Sequence, residues 1–314
     1  MVDTPTTGTT APVILVTGCR GQLGQELCRS LSLVGRVVGV SRNECDLGST
    51  EQIVAMMRSV RPAVVVNAAG YTDVDAAETG SDRAWVINAQ APAVLAAEVA
   101  RLDGLMVHYS TDYVFDGMKA CPYVEGDEPR PLSVYGRSKL DGERAVEDAA
   151  CAYWIFRTSW VFSSYGSNFL KSIARLALSR DSLSVVSDQR GTPTSATLLA
   201  DITSFAVRDY LWGAGAMQSG LYHVAAGGRT TWHEYALHIV KTLVQNAIPV
   251  AVTPNDVRPI TTAAYGAAAA RPLNSLLDTT KLRTALNVDL PDWREDVERV
   301  LTQLIAGRQL LKLS

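Results

Sequence analysis

The 314-residue chain is long enough to bury a sizeable core, and length alone allows one to three domains. Apolar residues make up 47% and charged residues 19%, with a formal net charge of −3 and a pI near 5.9; this gives no support for a nucleic-acid-binding surface. No run of roughly eighteen apolar residues marks a membrane span.

Residues 1–11 are polar and threonine-rich, and are expected to form a flexible tail rather than a signal peptide. From residue 12 onward, short Val, Ile and Leu runs alternate with helical patterns. Strands are predicted at 13–17, 36–40, 63–67, 105–110 and 153–157, with helices at 21–34, 49–60, 81–102 and 134–147. Strand and helix repeated this often predict an α/β fold, a Rossmann-type doubly wound parallel sheet.

Past residue 160 the order loosens. Helices are predicted at 168–179, 198–211, 231–246 (capped by Thr230 or Thr231) and 293–304, with an irregular loop over 249–274. The expected division is a nucleotide-binding domain over 12–160, with a returning segment around 185–210. A smaller, mixed substrate-binding domain, mainly over 161–314, is interleaved with it.

The five cysteines, Cys19, Cys28, Cys45, Cys121 and Cys151, show no CxxC spacing. They fit reduced thiols and a cytoplasmic protein better than a disulfide framework. Of the four histidines, His233 and His238 are five apart, which misses the spacing that places two side chains on one helix face. No metal site is expected from them.

Thr17-Gly18-Cys19-Arg20-Gly21-Gln22-Leu23-Gly24 follows the first strand and opens the first helix. Gly18 permits a tight turn, Gly21 lets backbone approach a diphosphate, and Gly24 lets the helix pack on the sheet. Free N–H groups and the helix dipole favour the anion, so the turn is expected to hold a dinucleotide through Gly18, Arg20, Gly21, Gln22, Leu23 and Gly24. At the end of the second strand, Ser41 and Arg42 stand where an acidic residue would select NAD. They suit a 2′-phosphate and favour NADPH, with NADH also accepted; the plain alternative for Arg42 is a solvated surface arginine.

Tyr135-Gly136-Arg137-Ser138-Lys139 forms a YxxxK spacing that places phenol and ammonium about one helical turn apart. The ammonium is expected to lower the phenol pKa from about 10, towards a value useful for proton donation. Thr111 follows the fourth strand, where its hydroxyl can polarise a carbonyl; a turn or cap hydroxyl is the plain alternative. Thr111, Tyr135 and Lys139 together predict hydride transfer to a ketone.

The TGxxGxxG spacing resembles the extended short-chain dehydrogenase/reductase family. The ordered marks Val66-Asn67-Ala68-Ala69, Thr72-Asp73-Val74-Asp75, His108 to Phe115, Gly142-Glu143, Arg157 to Val161, Asn168-Phe169 and Arg271-Pro272 with Asn274-Ser275 are similar to its dTDP-4-dehydrorhamnose reductase branch. That resemblance implies reduction of a 4-keto deoxysugar carried on dTDP. It implies adenine contacts at Asp46 and Leu47, and further cofactor contacts at Ala68, Ala69, Gly70 and Thr72. Substrate contacts are implied at Val74, Thr111, Asp112, Tyr113, Tyr135, Trp160, Asn168 and Arg271. Trp160 would offer an apolar face and Arg271 a two-pronged phosphate contact; a core tryptophan and a structural ion pair are the alternatives.

Some members of the branch form a Mg²⁺-bridged dimer through three glutamates. Here Glu26 matches the first position, whereas Thr197 and Gln303 occupy the others, so neither Mg²⁺ nor a metal-linked dimer is expected. A monomer or weak homodimer is the expectation. Two further readings stay open: a related dTDP-4-keto-deoxysugar reductase of secondary metabolism, such as a dihydrostreptose synthase, and a non-catalytic regulatory subunit with the same fold.

Overall fold

The computed structural model describes residues 11–213, 215 and 217–307, so the predicted tail lies outside the described residues apart from Ala11. Strands β1 (Val13–Thr17), β2 (Arg36–Val40), β3 (Val64–Asn67), β4 (Leu105–Thr111) and β5 (Ala152–Thr158) form where the β-branched runs predict them. Every residue of β3 and β4 is buried, as expected of central strands covered on both faces.

The sheet is six-stranded, in the order Gly220–His223, β5, β4, β3, β1, β2, and every pairing is parallel. Gly220–His223 corrects the sequence reading, which assigns no strand there. Its four residues carry little β-branched signal, and the edge it pairs with is β5, far upstream. The chain passes from β1 outward to β2 and then returns to β3 on the other side of β1. The crevice between their carboxyl ends is therefore the switch point where this class of sheet binds ligands.

Helices Gln22–Leu31 and Ala196–Leu211 pack together over one face of the sheet, around Ile14, Val16, Val64, Val107 and Phe156. The other face buries Leu15, Val65, Met106 and Ile155 with Ile53 and Met57 of helix Thr50–Val60 and Leu95 and Val99 of helix Ala91–Arg101. A separate core gathers helices Phe169–Ser179, Trp232–Gln245 and Trp293–Ala306, with Phe162, Tyr235 and Trp293 inside it. Thr231 caps the second of these helices through a reciprocal bond with Glu234, which settles the choice between Thr230 and Thr231.

Two expectations are corrected. The run 81–102 is helical throughout, but a π-helical turn, Val86–Gln90, interrupts it between Ser81–Trp85 and Ala91–Arg101. The wider turn carries the buried Asn88, whose amide accepts from Tyr71 N (2.8 Å) and donates to Tyr71 O and Ser138 Oγ (3.0 Å each). The loop after β3 is thereby tied to helix Val134–Glu147. The supposed loop over 249–274 contains strand Val257–Ile260, paired in parallel with Leu183–Val186, and helix Thr262–Tyr265. Val257 is buried beside Leu183 in this pairing, a long-range partnership that a local pattern cannot reveal.

Candidate active site

Of the predicted site residues, all but Arg20, Gly24 and Arg271 line a single cleft of about 680 Å³ over the carboxyl ends of the strands. Its floor is the glycine-rich turn. Gly18 adopts φ +67°, and a Cβ there would stand 2.9 Å from Ala69 Cα. A Cβ on Gly24 would reach to 2.1 Å from Gly18 O, so Gly24 is needed for helix Gln22–Leu31 to sit on the turn itself rather than on the sheet. That helix starts at Gly21 with no side-chain cap and no acidic residue in its first turn. Its first amide donors therefore remain open toward the cleft, a fit for a diphosphate.

A buried chain of polar groups joins this turn to the YxxxK helix. Thr17 Oγ1 donates to Asn67 Oδ1 (2.6 Å), Asn67 Nδ2 meets His108 Nδ1 (3.1 Å), and His108 Nε2 lies 3.5 Å from Lys139 Nζ. Lys139 Nζ donates to Tyr109 O at 2.5 Å. The links come from β1, β3 and β4, which are neighbours in the sheet, so the topology assembles them. Burial, with the Lys139 charge nearby, holds the His108 pKa well below the usual imidazole range, and the ring is neutral. His108 was not among the predicted site residues, because its part depends on Asn67 of the neighbouring strand β3 and on Lys139 of helix Val134–Glu147.

Helix Val134–Glu147 is capped by Ser133, whose hydroxyl accepts from Gly136 N (3.1 Å), and by Glu78, which accepts from Val134 N (2.8 Å). These caps hold Tyr135 in the first helical turn, edge-on to Tyr113 with ring centroids 5.6 Å apart. The Thr111 hydroxyl meets the Tyr135 phenol; it also donates to Asp112 Oδ1 (3.0 Å) and accepts from Tyr113 N (3.2 Å). The cap role and the site role of Thr111 thus coexist.

The expected lowering of the Tyr135 pKa by Lys139 is corrected. Burial pushes the phenol up to about 12, the Thr111 hydrogen bond offsets only part of this, and the Lys139 ammonium is directed at the Tyr109 carbonyl. Lys139 itself is lowered to about 8 by burial, against the opposing influence of Glu143. Burial also lifts Asp112 to about 6, although hydroxyls of Ser275 and Thr111 favour its charge.

That last shift sets a stability expectation. The folded-state pKa of Asp112 lies above its unfolded value, so the protein binds the proton more tightly than the unfolded chain does. The resulting destabilisation is absent below about pH 4, grows as pH rises to about 6, and is complete above it. Asp112→Asn should therefore raise unfolding free energy by about 1–3 kcal/mol at pH 8 and by little at pH 4. Urea titrations at the two pH values would show this; an equal effect at both would contradict it.

At the second-strand end, Ser41, Arg42, Asp46 and Leu47 line the cleft. Arg42 lies 3.8 Å from Asp46, and the turn residue Arg20 lies 3.5 Å from Glu44. Ala68, Ala69, Gly70 and Thr72 form the wall after β3, and Val74 begins helix Val74–Thr79.

Trp160 is half-buried and held at φ +48°, a strained value for a bulky residue. Its indole stacks on Trp232 with centroids 3.6 Å apart, so one face is already covered. Trp232, which also lines the cleft, was missed because no local motif ties it to Trp160. Asn168 caps helix Phe169–Ser179 and donates to Gln22 Oε1 (2.8 Å), binding the second core to the glycine-rich turn. Arg271 makes a two-pronged pair with Asp75 (2.7 and 3.2 Å), the structural alternative weighed above, and reaches the Tyr113 hydroxyl. Arg83 lines the cleft although it was not predicted to. Glu26 is paired with Arg29 at 3.0 Å.

Comparison with known proteins bears on this arrangement. Residues 12–306 match the family model described as the RmlD substrate binding domain. The chain belongs to this family. Within it, the chain is 46% identical over 297 residues to dTDP-4-dehydrorhamnose reductase of Burkholderia thailandensis, covering 93% of this chain and 99% of that protein. It is 42% identical over 295 residues to the enzyme of the same name from Salmonella typhimurium, covering 93% and 97%. The crystal structure of the Bacillus anthracis dTDP-4-dehydrorhamnose reductase in complex with NADP superposes with a TM-score of 0.85 at 33% identity, covering 94% of this chain and 100% of that one. Among the described residues of this RmlD-family chain, no helix is long and apolar enough to cross a membrane.

Proposed function

We propose that the chain reduces the 4-keto group of dTDP-4-dehydro-L-rhamnose to give dTDP-L-rhamnose, with NADPH preferred and NADH also accepted. The observation that carries this reading is the convergence of Thr111, Tyr135 and Lys139 on a cleft floored by an uncapped glycine-rich helix start. Relatives named for this reaction, one of them 46% identical over nearly its whole length, support the choice of substrate.

A nicotinamide cofactor bound here would supply hydride to the ketone carbon. Gly18, Gly21 and the first amides of helix Gln22–Leu31 would hold its diphosphate, with Gln22 and Leu23 beside them; Asp46, Leu47 and the Ala68-to-Thr72 wall would flank the remainder. Thr111, its single hydroxyl proton turned from Asp112 to the substrate carbonyl, would fix the direction of that carbonyl. Tyr135 delivers the proton to the carbonyl oxygen as negative charge develops there. Lys139, an ammonium anchored on the Tyr109 carbonyl, would orient the nicotinamide ribose. Tyr113, Val74 and the open part of Trp160 confine the deoxysugar, with Asp112 behind Thr111 as a buried support. Arg271 holds Tyr113 and Asp75 in place at the edge of this pocket. From the region 161–314, Val161, Ser167, Asn168 and Trp232 reach the cleft.

The burial of Lys139 predicts a pH dependence. Its ammonium is the form the mechanism uses, and with a pKa of about 8 it is lost above that value. With substrate subsaturating, kcat/KM should therefore fall about tenfold per pH unit beyond pH 8 to 9. A flat profile to pH 10 would oppose the assigned role.

The direct test is NADPH oxidation with dTDP-4-dehydrorhamnose generated in situ, followed by product identification. Formation of dTDP-L-rhamnose is expected; a different sugar would overturn the substrate assignment and leave the reductase class standing. The five free cysteines support a reducing, cytoplasmic setting. The Glu26–Arg29 pair, with neutral Thr197 and Gln303, supports a monomer or weak homodimer without bound Mg²⁺.

A further inference from the structure

The glycine-rich turn and the end of β2 are locked side by side, since Cys19 N donates to Val40 O at 3.1 Å. Just beyond, the Glu44 carboxylate folds back over Ser41. One oxygen accepts both from Ser41 N (2.8 Å) and from Ser41 Oγ (2.5 Å). The other lies 3.5 Å from Arg20 Nη2. A backbone N–H, a hydroxyl and a guanidinium are the donor set by which proteins hold a phosphate monoester. Here an internal carboxylate already occupies all three. The Ser41 donors hold the Glu44 pKa below the usual carboxylate range, so the group is ionised at neutral pH. The second arginine, Arg42, is likewise faced by a carboxylate, Asp46 at 3.8 Å.

We infer that Glu44 occupies the position of the cofactor's 2′-phosphate and is the residue that sets how strongly this chain discriminates NADPH from NADH. The inference rests on the dinucleotide-binding reading of the cleft. A ribose bearing a free 2′-hydroxyl can donate to the Glu44 carboxylate where it stands. A 2′-phosphate must displace it to reach Ser41 and Arg20, and two like charges then remain close. Glu44 is half exposed, its side chain 48% accessible, so it can swing into solvent; its charge limits NADPH affinity without abolishing it. Ser41 and Arg42 alone read as an NADPH signature in the sequence, and Glu44 is the opposing element three residues past Ser41.

Titrations of the full-length chain with NADPH and NADH, followed by tryptophan fluorescence, would test this. Titrations with adenosine 2′,5′-bisphosphate and AMP would isolate the 2′-phosphate. Glu44→Gln keeps the size and removes the charge; Glu44→Ala removes the acceptor as well. Both should tighten NADPH and the bisphosphate about tenfold, as expected for one partly screened charge. NADH should be unchanged or weakened, and added salt should shrink the difference between wild type and variant. An NADH-to-NADPH Kd ratio within twofold of wild type in both variants would overturn the role of Glu44 and leave the cofactor reading intact. If the wild-type chain bound neither dinucleotide, the cofactor reading would fall first and the inference with it.

Discussion

Replacing Tyr135 by Phe should lower kcat by a factor of about 10²–10⁴ while leaving the Kd for NADPH within about twofold, because only the proton donor is removed. The ring itself stays. Its edge contact with Tyr113 and its place in the capped first turn of the helix do not involve the hydroxyl. The phenol lies deep enough for burial to raise its pKa to about 12, so at neutral pH it is protonated and ready to donate. Single-turnover NADPH oxidation, together with a fluorescence titration, separates the two effects. Unchanged turnover would refute the proton-donor role, and a large loss of cofactor affinity would show that the residue serves binding instead.

The largest stability effect is expected at an ion pair away from the cleft. Arg157 on β5 and Glu143 on helix Val134–Glu147 are 3% and 2% exposed and joined by two bonds, of 2.8 and 2.6 Å. The guanidinium also lies over the Phe115 ring, 5.0 Å from its centre. Glu143→Leu leaves a buried cation with no counter-charge and should cost about 3–5 kcal/mol. Adding Arg157→Met should recover most of that loss, because a pair of apolar groups carries no desolvation penalty. Denaturant unfolding of the two singles and the double would measure it. If the double variant were as unstable as Glu143→Leu, the loss would lie in packing rather than in a stranded charge.

Much of this architecture is legible in the sequence because it is local. The β-branched runs announce β1 to β5, the Thr230-Thr231 pair announces a cap, and the glycine spacing announces the turn. The features that escape are those made by distant partners. Trp160 reads as a single aromatic residue until it stacks on Trp232, and Arg271 reads as a phosphate contact or an ion pair of unnamed partner until Asp75 engages it. Arg157 and Glu143 are both visible as marks, yet nothing in their spacing says that they face each other. The π turn at Val86–Gln90 escapes for a different reason: one extra residue in a turn shifts an apolar pattern by less than side-chain variation blurs it. The Lys139 effect on Tyr135 was misjudged because spacing says nothing of burial, and burial dominates there.

The strand Gly220–His223 has a consequence for how the protein is made. It completes the sheet beside β5, yet between the two in sequence lie helix Phe169–Ser179 and strand Leu183–Val186 of the other core. During synthesis β5 must therefore stay an open edge, able to pair with foreign strands, until residues 220–223 have emerged from the ribosome. The two cores are wound through each other, so neither can be finished before the other is begun. A nascent chain stalled shortly before Gly220 should be the most aggregation-prone intermediate and the one most dependent on chaperones.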